Sequence, residues 1–330
     1  MNPVSEQRGA APSSTTAANA GAGAMNGMFV HPDVTADGKQ RASVSLQGLR
    51  TLWFNTGTLC NLTCRNCYIE SSPSNDALVY LRTDEVMAYL DELQALALPT
   101  EEIGFTGGEP FMNPDLLPML ELVLQRGFQA LVLTNAMRPM MKCAEALEAL
   151  SKRYPDALTL RVSLDHFEAA KHEDERGRGS YRPTIEGLRW LSNAGVRIHL
   201  AGRTRWGGDD ASLRAGFADL LAAEGIALDA HDPEQLVLFP EMDTLAHVPE
   251  ITTDCWGILN KSPDDMMCAS SRMVVKHRGA AAPSVVACTL LPYDAQFDYG
   301  PQLGNALQPV KLNHPHCAKF CVLGGGKCSG

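Results

Sequence analysis

Six short apolar runs recur between residues 51 and 239, separated by segments of helical length. The runs are TLWFN (51–55), EIGFT (102–106), ALVLT (130–134), LTLRVS (158–163), RIHLA (197–201) and QLVLF (235–239). Runs this uniformly apolar suit strands covered on both faces, the setting of a parallel sheet. The helical pattern that starts at Thr83 puts Val86, Leu90, Leu93 and Ala97 on one stripe, with Thr83 as N-cap and acidic residues in the first turn. Two further patterns stop at Gly127 and Gly195, where a left-handed helix end is expected. Strand–helix alternation predicts a parallel sheet with right-handed crossovers. Six strands predict a partial (β/α)6 TIM-type barrel, short of the full eight.

In such folds chemistry gathers where strands end and the next loops begin. The segments past these strand ends are CNLTCRNCY (60–68), GGEP (107–110), TN (134–135), SLDH (163–166) and GRTR (202–205). After about residue 240 the text changes to short strands and irregular loops, a small cysteine-rich C-terminal extension. Three regions are therefore expected: a disordered tail over 1–48, the partial barrel over 49–240, and the cysteine-rich region over 241–330. The tail assignment rests on the first residues, rich in Ala, Ser, Thr and Gly and too poor in large apolar side chains to offset their ordering entropy.

The chain has 330 residues, a formal charge of −10 and ten cysteines. No basic stripe is present, which speaks against a nucleic-acid partner, and no apolar stretch is long enough to cross a membrane. Without a basic start and apolar block there is no export signal, so a cytoplasmic location is expected. In that reducing compartment the cysteines read as metal ligands sooner than as disulfides. They cluster: Cys60, Cys64 and Cys67 in one group, Cys268, Cys288, Cys317, Cys321 and Cys328 in another, with Cys143 and Cys255 apart.

Three thiolates select zinc or an iron–sulfur cluster, and a structural zinc wants a fourth Cys or His nearby. No cysteine follows Cys67 until Cys143, and the next histidine is His166. A 4Fe–4S cube held at three corners instead leaves one iron open. Downstream, Gly107 and Gly108 allow close backbone approach, and Glu109 offers a carboxylate to a cationic amino group.

With CNLTCRNCY, GGEP, TNAM (134–137), SLDH and HEDERGRGSYRPTIEGLRWLSNAG (172–195), the chain resembles the radical S-adenosylmethionine (radical SAM) enzymes over about residues 50 to 240. The resemblance implies that Cys60, Cys64 and Cys67 ligate a 4Fe–4S cluster whose open iron is chelated by S-adenosyl-L-methionine. Reductive cleavage would then give a 5′-deoxyadenosyl radical that takes hydrogen from a substrate carbon. It further implies that the GGEP loop, Gly107, Gly108, Glu109 and Pro110, holds the methionyl amino group, and that Ser163 and Asp165 reach the ribose or carboxylate. Asn135 and Arg203 are weaker candidates. The position before the third cysteine is often aromatic in this family and is Asn66 here, which leaves the adenine contact to Tyr68.

The C-terminal region resembles the SPASM and twitch extensions of the same family. Their hairpin has the form C-x(9–15)-G-x4-C; Cys268 and Gly279 fit its first half, but eight residues precede Cys288. LGNAL (303–307) and HCAKFCVLGGGKC follow. The expectation is an auxiliary 4Fe–4S cluster on Cys268, Cys288 and Cys317 with Cys321 or Cys328, the alternative being a structural zinc. His314 and His316 read as exposed loop histidines, His166 and His172 as hydrogen-bonded structural residues near the mouth, and the EDERGRG charge run as a solvated loop. The functional expectation is radical oxidation or C–C or C–S bond formation on a small metabolite or peptide, with ferredoxin or flavodoxin as electron donor. A ribosomal-peptide maturase acting with a separate partner and a non-catalytic iron–sulfur or zinc scaffold are the alternatives.

Overall fold

The computed structural model describes residues 27–241 and 247–326. In chain order its elements are β1 (Ser43–Val44), β2 (Thr51–Asn55), α1 (Thr83–Ala95), β3 (Glu102–Thr106), α2 (Leu116–Gln125), β4 (Gln129–Thr134), α3 (Arg138–Met141) and α4 (Ala144–Arg153). There follow β5 (Leu158–Ser163), α5 (Ala169–Arg176), α6 (Tyr181–Asn193), β6 (Arg197–Arg203), α7 (Asp210–Glu224), β7 (Leu236–Phe239), α8 (Cys255–Leu259), β8 (Ser271–Val275), β9 (Ser284–Val286) and β10 (Val310–Lys311). All six apolar runs form strands, and β2 to β7 pair in sequence, every pair parallel. The sheet order is β7-β6-β5-β4-β3-β2-β8-β9, so its ends do not meet and the barrel is partial.

The helices cover the outer face of this sheet. Leu90, Leu93, Leu120, Val123, Leu147, Leu188 and Leu191 pack against Phe54, Phe105, Val132, Leu160 and Leu200 in one core. Helix α1 begins at Thr83, whose N–H donates to Asp115 Oδ2 (3.0 Å), so Thr83 is the first helical residue and not the N-cap. Gly127 and Gly195 take positive φ just past α2 and α6, as their positions imply.

Two boundaries differ from the expectation. Residues 27–48, assigned to a disordered tail, are built into the fold, while residues 1–26 lie outside the described residues. Strand β1 pairs with β10, Ala42 and Val44 are fully buried, and the buried Arg41 ion-pairs with Glu250 at 2.5 Å and donates to the carbonyls of His31, Val34 and Leu312. A few apolar residues and one buried guanidinium anchor the segment, a signal that composition averages away. The C-terminal region, in turn, is no separate layer. Strand β8 joins the barrel sheet parallel to β2 and forms the expected hairpin with β9. A second core, with Trp53, Leu131, Met273, Val275, Val286, Leu312 and Phe320, fills the space between the barrel's inner wall and this extension.

Candidate radical SAM site and a second cysteine pocket

The three thiols and the ends of β3 to β6 share one cleft. Cys60, Cys64, Cys67, Tyr68, Gly107, Gly108, Asn135, Ser163, Arg176 and Arg203 line it, and it encloses about 660 Å³ of open space. Parallel strands of matched register bring these residues together from five different loops.

The cysteine loop and the glycine turn are pressed backbone to backbone. Gly108 N–H donates to Gly57 O (2.8 Å) and Glu109 N–H to Leu59 O (3.1 Å). A Cβ on Gly108 would lie 2.3 Å from Leu59 O, and one on Gly107 would lie 2.5 Å from Gly57 O, at a φ of +141° that L residues rarely adopt. The glycines are thus required for the two loops to meet, whatever the cleft holds.

Several expected contacts fall on the other side of the cleft wall. Glu109 is 2% exposed and its carboxylate turns inward, accepting from Thr134 Oγ1 (2.8 Å), Asn135 N–H (2.9 Å) and Phe111 N–H (3.2 Å). It joins the loops after β3 and β4 and is not among the residues that line the cleft, whereas Gly107 and Gly108 are. Burial pushes its carboxyl up to about 7, against these three donors. Pro110, also buried, opens a short 3₁₀ turn. Asp165 likewise lies behind the wall, paired with Arg176 (2.5 Å) and Arg203 (3.5 Å). Burial pushes its carboxyl up, but the two guanidinium groups outweigh it and hold the pKa below the ordinary value.

Sequence reasoning missed Arg176. The EDERGRG run, read as solvated, is mostly the last turn of α5, with Glu175 1% exposed and the Arg176 side chain 15% exposed. Charged residues that pair with one another in the interior look the same in sequence as charges facing water. His166 and His172 are buried, their Nδ1 atoms accepting from Glu168 N–H (3.0 Å) and Asp165 N–H (3.3 Å), and neither lines the cleft.

A second pocket gathers four cysteines. Cys268, Cys288, Cys317 and Cys321 line a space of about 380 Å³ walled by Met266, Leu290, Val310 and Leu312. A π-helix over Cys317–Leu323 carries two of them, and a π-turn in a helix is frequent at functional sites. Cys328 lies outside the described residues. His316, expected on an exposed loop, is 8% exposed and lines this pocket; burial pushes both His314 and His316 below the ordinary histidine value.

The chemistry of both sets of thiols fits metal. Burial pushes Cys60 up to about 12, Cys268 up to about 11, Cys64 above its ordinary value and Cys317 well above it. Thiols this buried stay protonated until a cation takes their charge. Among the described residues no three Cys, His, Asp or Glu side chains converge closely enough to share one ion. A four-iron cube, by contrast, separates its ligating thiolates by its own width.

Residues 54–203 match the family model of the Radical SAM superfamily. The antilisterial bacteriocin subtilosin biosynthesis protein AlbA of Bacillus subtilis (strain 168) is 35% identical over 143 residues, 43% of this chain and 30% of AlbA. Fe-coproporphyrin III synthase of Methanosarcina barkeri is 27% identical over 150 residues, 44% of this chain and 35% of the synthase. The matched part thus spans about a third of the length of these curated relatives. Among solved structures, Streptococcus suis SuiB bound to S-adenosylmethionine superposes with a TM-score of 0.56 at 12% identity, over 78% of this chain and 64% of SuiB, a likeness of fold. Over residues 54–203 the chain is therefore similar to the Radical SAM superfamily, and its overall fold resembles that of SuiB.

Proposed function

We propose that this protein is a radical SAM enzyme that binds its cluster and S-adenosyl-L-methionine in the cleft between the cysteine loop and the Gly107–Gly108 turn. The observation that carries the reading is the convergence of Cys60, Cys64 and Cys67 with that turn on a single cleft. When bound, the cluster and S-adenosylmethionine supply reductive cleavage to a 5′-deoxyadenosyl radical able to remove hydrogen from carbon. The protein's share is to hold and to shield. Three thiolates leave one iron corner for the nucleotide, and the glycines bring backbone polar groups to the cleft wall. Arg203 and Ser163 face an incoming carboxylate or ribose, while Tyr68, Ile69 and Leu133 offer apolar surface to a base. Ile69 and Leu133 also keep water from the reacting carbon.

Cys268, Cys288, Cys317 and Cys321 fit an auxiliary 4Fe–4S cluster. Four thiolates leave no iron open, so an electron relay suits the site better than a substrate anchor. A peptide is the substrate class best supported, because AlbA is a bacteriocin biosynthesis protein and SuiB has been solved bound to a precursor peptide. Similarity to Fe-coproporphyrin III synthase supports a second reading, a tetrapyrrole-sized small molecule. A ferredoxin or flavodoxin would supply electrons. The test is anaerobic reconstitution, reduction with dithionite and addition of S-adenosylmethionine, with 5′-deoxyadenosine as the readout. A full cluster without that product refutes the catalytic reading. Acceleration by a short peptide encoded beside the gene, and not by porphyrins, selects the first substrate class over the second.

A further inference from the structure

The loop that carries the three thiols runs from Thr56 to Arg82 with no helix or strand of its own. Its shape therefore depends on what it is tied to. The segment between Cys64 and Cys67 makes most of its ties to one residue, Glu175, beside an ion pair from Arg65 to Asp174 (2.9 Å) and a bond from Arg203 to the Asn66 carbonyl (3.5 Å). Arg65 N–H donates to Glu175 O (2.8 Å), Asn66 N–H to Glu175 Oε1 (3.0 Å) and Asn66 Nδ2 to Glu175 Oε2 (2.9 Å). Asn66 is thus read twice by a carboxylate that is 1% exposed. Arg205 (2.6 Å) and Arg203 (3.5 Å) balance the charge of that carboxylate. Such a charge is tolerated in the interior only because every oxygen is met, and removing one partner leaves the others unsatisfied.

Glu175 also sits in a special place along α5. The next residue, Arg176, lines the cleft and pairs with Asp165, and Arg203 lines the cleft while touching both Asp165 and Glu175. A single turn of helix therefore sets the middle of the thiol loop and two of the cleft's cationic side chains. On the other side of Cys64, Asn61 Oδ1 accepts from Asn135 Nδ2 (2.9 Å), and Asn135 is itself fixed through its N–H to Glu109 (2.9 Å) and its carbonyl to Thr184 Oγ1 (3.1 Å). Cys64 is held from both flanks.

The geometry points to Glu175, acting through Asn66, as the positioning residue that fixes Cys64 and Cys67 relative to the cleft. This rests on the cluster-binding reading of the loop. Glu175 does not itself line the cleft; its effect passes through Asn66 and through Arg203, which does. Loss of the clamp would let the segment between the two thiols shift, so Cys64 and Cys67 would no longer be fixed relative to the Gly107–Gly108 turn that they share a cleft with.

The test uses the full-length chain, reconstituted anaerobically, with the variants Glu175→Gln and Asn66→Ala. The readouts are iron per chain, the electron paramagnetic resonance spectrum of the reduced cluster with and without S-adenosylmethionine, and the dissociation constant for S-adenosylmethionine. The expected result for Asn66→Ala is iron content near wild type, with affinity about tenfold weaker and a reduced change in the spectrum on addition of the nucleotide. Glu175→Gln should move in the same direction and further. A purely structural role would lower the melting temperature and leave spectrum and affinity unmoved. Hydrogen exchange gives a readout that needs no cluster: the amides of Arg65 and Asn66 should exchange about tenfold faster in Glu175→Gln than in wild type. Wild-type exchange together with an unaltered spectrum and affinity overturns the inference. Faster exchange in a chain whose wild-type form binds no S-adenosylmethionine upholds the clamp and removes the proposed function instead. If Glu175→Gln does not fold, the spectrum and affinity of Asn66→Ala decide alone.

Discussion

Substituting Gly108 by Ala tests whether the contact between the glycine turn and the thiol loop is as tight as the geometry requires. The new Cβ would lie 2.3 Å from Leu59 O, 2.6 Å from Leu59 C and 2.7 Å from Thr58 O, all backbone atoms that have no rotamer to escape into. Relief to an ordinary carbon–oxygen contact needs the two loops to part by about 1 Å. That separation costs the strain of overpacking, about 1–3 kcal/mol. It also breaks or stretches the bonds from Gly108 N–H to Gly57 O and from Glu109 N–H to Leu59 O, at about 1 kcal/mol each. The sum is about 3–5 kcal/mol, a large part of the roughly 5–15 kcal/mol that holds a native chain together. In a chain of this size it should lower the melting temperature by roughly 5–15 °C. The assay is anaerobic thermal unfolding of wild type, Gly108→Ala and a control, Gly257→Ala. The control site lies in the short helix α8 with no heavy atom within 4 Å of its Cβ, so Ala there should be neutral or stabilising by up to about 1 kcal/mol. Gly108→Ala should also bind S-adenosylmethionine more weakly. A Gly108→Ala protein that melts with the wild type and loads iron and nucleotide normally would falsify the close-approach argument.

Three other outcomes follow from the same structure. Arg272 is fully buried and donates to the carbonyls of Ala306 (2.7 Å), Cys268 (2.6 Å), Ser271 (2.7 Å) and Gln308 (3.1 Å), so Arg272→Met should cost about 3–5 kcal/mol by leaving carbonyls without donors; an unfolding midpoint within error of wild type contradicts this. Cys317→Ala should lower iron from about eight to about four per chain while the nucleotide-binding cluster remains, and an unchanged iron count rejects the auxiliary cluster. Glu109 titrates at about 7 in the fold against an ordinary 4.5. Its folded pKa is raised, so it contributes stability that is fully present below about pH 4.5 and is lost as pH rises through 7. The loss is at most about 3 kcal/mol, from a difference of about 2.5 in pKa at about 1.36 kcal/mol each. Wild type should therefore lose stability relative to Glu109→Gln between pH 5 and pH 8, and parallel stability profiles for the two proteins would refute the raised pKa.

Much of the site could be read from the chain because its signals are local. The spacing of Cys60, Cys64 and Cys67, the glycine pair after β3 and the polar residues past β4, β5 and β6 each lie within a few residues of a strand end. Strand ends in a parallel sheet come together on one side, so placing the motifs also placed the cleft. The roles of Glu109 and Asp165 were not legible in the same way. Both lie next to wall residues in sequence, yet their carboxylates turn away to Asn135 and Thr134, or to Arg176 and Arg203. A carboxylate beside a ligand site and one holding two loops together have the same local sequence.

By itself the sequence determined the strand–helix order, the parallel sheet and the loop that bears three thiols. Periodicity and turn chemistry act over a few residues, and here they agree with one another. Only the tertiary structure decided that β8 would join the sheet beside β2, that residues 43–44 would be paired with 310–311, and that Glu175 would be buried under Asn66. Those choices join segments separated by more than a hundred residues, or bury charges whose cost is met only by guanidinium groups arriving from another strand. Such terms exist only once the chain has closed on itself, so no short stretch of it can carry them.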